Sequence, residues 1–154
     1  MKIIELGKPA FCQRIKDTVT PTHLVIDRDG GRTYIVEPKG LKKDKSGQDS
    51  FGCAESELTD CAKMDVPDID KAYFNSEVTT NNGFKGVITD FVFHLGGCVH
   101  AYIFGQTPNK EGKTWTTVEK DIRLLTGKGI KKLQDECFQE KKPSPTPLPP
   151  GILD

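Results

Sequence analysis

The densest set of residues with ligating or nucleophilic chemistry is His94, Cys98 and His100. Cys98 and His100 are two apart, so on a strand they share one face, with His94 across the Gly96-Gly97 break. Imidazole and thiolate together suit a borderline-soft metal. A fourth ligand would have to be a residue such as Cys53 or Cys61. Neither a C-x-x-C nor an H-E-x-x-H spacing occurs in the chain, and structural zinc sites usually carry such pairs. The residues therefore predict no metal and no cofactor. Cys98 or Cys53 with His100 or His23 would supply a thiol and its base. No nucleophile elbow or local signature accompanies them. Cys98 reads as a small core residue, and the chain is expected not to be an enzyme. Glu55, Glu57 and Asp60 read as a solvated rim rather than an acid–base pair.

A second constellation is aromatic and basic. Phe84, Tyr102 and Trp115 have flat faces on which bases could stack, with Lys85, Lys110 and Lys113 for phosphates. The charge balance opposes this. Lys+Arg is 22 and Asp+Glu is 22, a net charge of zero, where a nucleic-acid binder normally has a basic excess. Gly83, Gly86, Gly96 and Gly97 do not form a phosphate loop, because the order strand–GxxxxGK[ST]–helix is absent. The predicted ligand-binding residues are Phe84, Lys85, His94, His100, Tyr102 and Trp115, grouped at the mouth of a small barrel.

Positioning falls to β elements. Gly83 to Phe104 is the most apolar stretch, and its two Val/Ile/Phe/Tyr-rich runs flank a Gly-Gly turn. An earlier hairpin runs from His23 to Pro38 around Asp29-Gly30-Gly31. Lys2–Leu6, Phe51–Leu58 and Phe74–Thr80 read as strands. Phe11–Val19 fits either a short helix or a strand. Thr20-Pro21-Thr22 reads as a break. Trp115–Leu125 starts as a strand and ends in a helical turn. Ile130–Glu140 has the three/four spacing of a short amphipathic helix. Pro143–Pro150 holds five prolines in eight residues, so it is read as an extended tail, disordered rather than a docking motif. The N-terminal MKIIELGKPAF has too short an apolar run for a signal peptide. Five cysteines at irregular spacing argue for free thiols in a reducing compartment, and a cytoplasmic location is expected.

The two hairpins align as an internal repeat. Asp29-Gly30-Gly31 falls on Gly96-Gly97-Cys98, and Tyr34-Ile35-Val36 on Ala101-Tyr102-Ile103. A polar tip follows each, then an aromatic, Phe51 or Trp115. A Val-Thr pair precedes each, Val19-Thr20 or Val78-Thr79, with the first half shorter between that pair and its glycines. The predicted fold is mainly β: two tandem small antiparallel barrels, a short C-terminal helix and a proline-rich tail. The units are residues 1–60 and 74–140, with an acidic linker over 61–73 and the tail over 141–154.

Gly83-Phe84-Lys85-Gly86-Val87-Ile88-Thr89, Leu95-Gly96-Gly97-Cys98-Val99 and Trp115 to Leu124 resemble a group of small tailed-bacteriophage and prophage proteins. The first half supplies Lys16-Asp17-Thr18-Val19-Thr20 and Val36-Glu37-Pro38 of the same pattern but lacks the Gly-Phe-x-Gly element. The resemblance implies a phage origin and a Src-homology-type or KOW-type barrel, and it implies no activity. The expected function is a non-catalytic, phage-encoded binding protein in the host cytoplasm. It would capture a host protein or small ligand in host interaction or defence evasion. The alternatives are a KOW-like nucleic-acid module and a minor virion component. No membrane partner is expected, and exposed strand edges would permit a homo-oligomer.

Overall fold

The computed structural model describes residues 1–39, 49–105 and 116–138. Lys110, Lys113, Trp115 and the proline-rich tail lie outside the described residues. Strands β1 (Lys2–Ile4) and β7 (Lys63–Asp65) form an antiparallel ribbon. The first half then runs β2 (Ala10–Cys12), β3 (Asp17–Asp27), β4 (Arg32–Pro38), β5 (Phe51–Ala54) and β6 (Leu58–Thr59). The second runs β8 (Glu77–Thr80), β9 (Lys85–His94), β10 (Val99–Gly105), β11 (Thr116–Asp121) and β12 (Leu125–Thr126). One turn of 3-10 helix precedes β6 (Glu55–Glu57) and β12 (Ile122–Leu124). Helix α1 (Lys131–Phe138) follows. It buries Leu133 beside Ile130, as the three/four spacing predicts. No helix among the described residues is long and apolar enough to cross a membrane.

The repeat is visible in the pairing. The order β5-β4-β3-β2-β6 recurs as β11-β10-β9-β8-β12. A constant spacing relates Leu24 to Phe91, Tyr34 to Ala101 and Val36 to Ile103, and all six are buried. Gly30 (φ 82°) and Gly97 (φ 93°) close the corresponding turns. Their N–H groups donate to Asp27 O at 3.0 Å and His94 O at 3.1 Å. Only a residue without Cβ takes that conformation at low cost. Each long strand also bulges at a threonine. Thr22 Oγ1 donates to Ile35 O at 3.2 Å, and Thr89 Oγ1 to Tyr102 O at 3.5 Å.

Three sequence expectations change here. Thr20-Pro21-Thr22 does not break the chain. Strand β3 continues through it, and the bulge after Pro21 absorbs a residue with no N–H to donate. The two Val-Thr pairs are not equivalent, since Val19 lies on β3 and Val78 on β8. Ala10 pairs with Val19 as Val78 pairs with Gly86, so Ala10 is the counterpart of Val78. Phe51 pairs with Val36 and Val118 with Ile103, so Phe51 corresponds to Val118 rather than to Trp115.

The mainly β class holds, but two separately closed barrels do not form. Among the described strands nothing joins β5 to β6 or β11 to β12. Instead β3 pairs with β9, from His23↔His94 through Val25↔Val92 to Asp27↔Asp90, and the halves become one ten-stranded sheet. Strand β2 covers only the start of one β3 edge, and β8 only the start of one β9 edge. The uncovered lengths have unpaired backbone groups and apolar inner faces, and they satisfy each other. Leu24, Ile26, Phe91 and Phe93 from this seam enter one core cluster with residues of both halves.

Tyr34, fully buried, ties the ribbon to that core. Its hydroxyl accepts from Ile4 N at 3.0 Å and donates to Glu55 Oε1 at 3.1 Å. Burial pushes it up to about 12, so it stays protonated. At the surface, Arg14 donates to both Glu57 oxygens, at 2.9 and 2.7 Å, and to Gly52 O at 3.0 Å. The Arg14 hydrogen bonds hold the Glu57 carboxyl below its ordinary value of 4.5. A lowered folded pKa means that the unfolded chain binds the proton first as pH falls. The contribution of Glu57 is complete above about pH 4.5 and is lost as pH drops through the folded value. Glu57→Gln is expected to cost under about 1 kcal/mol at pH 7, because the pair is partly solvated. It should also flatten the acid limb of stability measured by urea unfolding between pH 3 and 6.

Candidate functional site

The outer face of the shared sheet holds the polar chemistry. On β3 and β9 the side chains that face away from the core are His23, Val25 and Asp27, against His94, Val92 and Asp90. The seam therefore has two unlike ends, a histidine pair and an aspartate pair, separated by two valines. Val92 is buried yet stands apart from the core cluster. The His23 and His94 rings meet edge to face at 4.5 Å between centroids. Thr22 Oγ1 holds His23 Nδ1 at 2.8 Å.

Strands β10 and β11 complete the histidine end. Alternation puts His100 and Tyr102 outward on β10, where they pair with Asp121 and Glu119 of β11. The His94 and His100 rings stand 4.1 Å apart. Glu119 Oε1 lies 3.2 Å from His94 Nε2 and 3.4 Å from His100 Nδ1. His100 Nδ1 is closed off from solvent, and despite that proximity its geometry makes no hydrogen bond. His100 Nε2 faces Asp121 Oδ2 at 3.9 Å. Arg123 grips both Asp121 oxygens, at 2.7 to 3.2 Å. Burial pushes the Asp121 carboxyl up, but the Arg123 bonds outweigh it and the carboxyl stays below its ordinary range. Burial first, then the neighbouring His100 and His23, push His94 down against the pull of Glu119. Burial raises Tyr102, and the charges of Glu119 and Asp90 add to this.

A cleft of about 240 Å³ opens beside this cluster, between the His94–Gly97 turn, the β7 ribbon and the end of α1. Its apolar lining includes Leu6, Met64, Val66 and Leu95, and Asp65 and Glu136 bring carboxylates. Leu95 is 54% exposed at the rim.

Of the six predicted binding residues, His94, His100 and Tyr102 come together. Phe84 and Lys85 lie at the other end of β9. The Phe84 ring packs over Gly105, in the space that a Cβ would need. Trp115 lies outside the described residues. Cys98 sits in the turn just before β10. Cys53, the other candidate nucleophile, is buried 3.6 Å from the Cys12 sulfur. Burial, then the Cys12 thiol, push Cys53 up to about 12, and burial pushes Cys137 up to about 11. Both shifts oppose thiolate formation, the reverse of an activated cysteine. Sequence reading missed Glu119 and Asp121. Only the β10–β11 register brings them to the histidines, and the one available hint was the alternation of charged residues along Glu119 to Asp121. No family model, curated protein or solved structure matches the chain.

Proposed function

We propose that the protein is a non-catalytic binding protein of phage origin, a host-interaction accessory factor that takes a small ligand or a short host-protein segment in the cleft beside the His94 turn. Each half is read as an open version of a Src-homology-type barrel, supported by the repeated five-strand order. The observation that carries the functional reading is the cleft itself: a concave, mainly apolar space with a few convergent polar groups, the usual form of a binding site. The raised thiols of Cys53 and Cys137 fit a role without covalent chemistry. Tyr102, the aromatic on the outer face, is flanked by Asp90 and Glu119. That setting repels phosphates and favours a protein or small-molecule ligand over a nucleic acid.

Affinity capture from a bacterial lysate, with retained proteins and small molecules both identified by mass spectrometry, tests this. The wild type should retain a defined species. Leu95→Arg, which fills the rim of the cleft with a charged side chain, should reduce it at least about 10-fold, a loss of about 1.4 kcal/mol. Equal retention by the two proteins would refute the cleft as the binding site.

A further inference from the structure

His94 on β9, His100 on β10 and Glu119 on β11 present ligand atoms that all lie within 4.8 Å of one another. We propose that these three residues form a binding site for one divalent transition-metal ion of the zinc class. The site shares His94 with the lining of the cleft, but the proposal does not require a cleft ligand.

Three observations carry it. The first is distance. Two donors bound to zinc at about 2.0–2.1 Å with a tetrahedral angle stand about 3.3 Å apart. Glu119 Oε1 is 3.2 Å from His94 Nε2 and 3.4 Å from His100 Nδ1. The first of these is also a hydrogen bond, which an ion would replace, and since the three atoms lie within 4.8 Å of one another the side chains must draw in to share one ion. The second is the state of His100 Nδ1, closed off from solvent and without a hydrogen bond. Leaving such an atom unmatched is costly, and a metal–nitrogen bond would satisfy it. The third is the support behind the ligands. Asp121 Oδ2 faces the opposite nitrogen of His100 at 3.9 Å, and Arg123 fixes Asp121 in turn. At that separation the carboxylate is a charge neighbour rather than a hydrogen-bond acceptor, and its negative charge favours a proton on that side of the ring, leaving Nδ1 for the metal.

The donor set also selects the metal. Two imidazoles and one carboxylate suit zinc, cobalt or nickel and disfavour magnesium or calcium, which take oxygen shells. The His94, His100 and Glu119 side chains are 22%, 27% and 36% exposed, so solvent reaches the cluster although His100 Nδ1 itself is closed off. Three protein ligands leave a position for water or for a donor atom of a bound partner. His23 stands beside His94, but its Nδ1 is engaged by Thr22, and it is assigned to the surround rather than to the metal. The missing paired motif that argued against a metal is explained by topology: each ligand comes from a different strand.

The test uses the full chain, stripped with a chelator and titrated with Zn²⁺ by calorimetry and with Co²⁺ by visible absorption. One ion per chain is expected, with cobalt bands of nitrogen and oxygen coordination. Glu119→Gln and His94→Gln should each weaken binding by more than about 10-fold, the lower end of losses seen when only a supporting residue is changed. Asp121→Asn, which removes only a neighbouring charge, should weaken it less than Glu119→Gln does. Glu119 is at the surface, so Glu119→Gln keeps the test valid if a histidine variant misfolds. Absence of stoichiometric binding would overturn the proposal. So would unchanged affinity in Glu119→Gln, or a thiolate-to-cobalt charge-transfer band that persists in His94→Gln and places the ion on cysteines.

Discussion

Phe91→Ala is expected to destabilise the protein by about 3–5 kcal/mol, the usual cost of removing a fully buried aromatic. Phe91 has no exposed surface. Its ring meets Phe74 at 5.3 Å and Tyr73 at 6.2 Å, both edge to face. Its backbone pairs with Ile26 of the first half across the β3–β9 seam. Phe91 belongs to a core cluster that holds residues of both halves. Because both halves share this core, the loss should appear as one unfolding transition moved to lower urea, followed by circular dichroism and by two-dimensional NMR. Two transitions, with first-half resonances unmoved, would mean that the halves fold independently and that the seam contributes little.

Gly86→Ala should cost about 3 kcal/mol, at the upper end for overpacking. A Cβ at Gly86 would lie 2.5 Å from the Phe104 carbonyl oxygen and 2.8 Å from Ile103 Cγ2. The first obstacle is backbone in the adjacent strand, which cannot rotate aside. Gly96→Ala is the informative contrast. Space is open there, and only the positive φ of 99° opposes a side chain, a cost of about 1–2 kcal/mol. Thermal unfolding of the two variants should rank them in that order. A Gly86→Ala variant as stable as Gly96→Ala would contradict the close approach of β9 to β10.

Much of the local structure was legible. Alternation and β-branched content marked β3, β4, β9 and β10, and the Asp-Gly-Gly and Gly-Gly turns marked their reversals. Apolar spacing marked α1. The repeat was legible through its glycines and the triplets Tyr34-Ile35-Val36 and Ala101-Tyr102-Ile103, whose first and last residues are buried. Its edges were misaligned because Val-Thr recurs on strands of different rank, and a dipeptide carries no information about which neighbour its strand will pair with. Pro21 read as a break because local rules treat proline as an end. The bulge that accommodates it depends on a partner, β4, several residues further on.

The candidate site divides in the same way. His94 and His100 were recognisable as ligating residues near one turn, since a hairpin is a local object and its two strands must lie side by side. Glu119 and Asp121 were not, because their nearness depends on the register of β11 against β10. The sequence by itself determined a mainly β chain with a duplicated strand pattern, one short amphipathic helix and no charge excess. Those properties follow from side-chain size, branching and charge, which act over a few residues. Tertiary structure alone decided that β3 and β9 join the halves, that histidines stand at one end of their seam and aspartates at the other, and that Glu119 reaches His94 and His100. Each depends on which open edges meet and in what register, a choice made by backbone pairing and core packing across the whole chain.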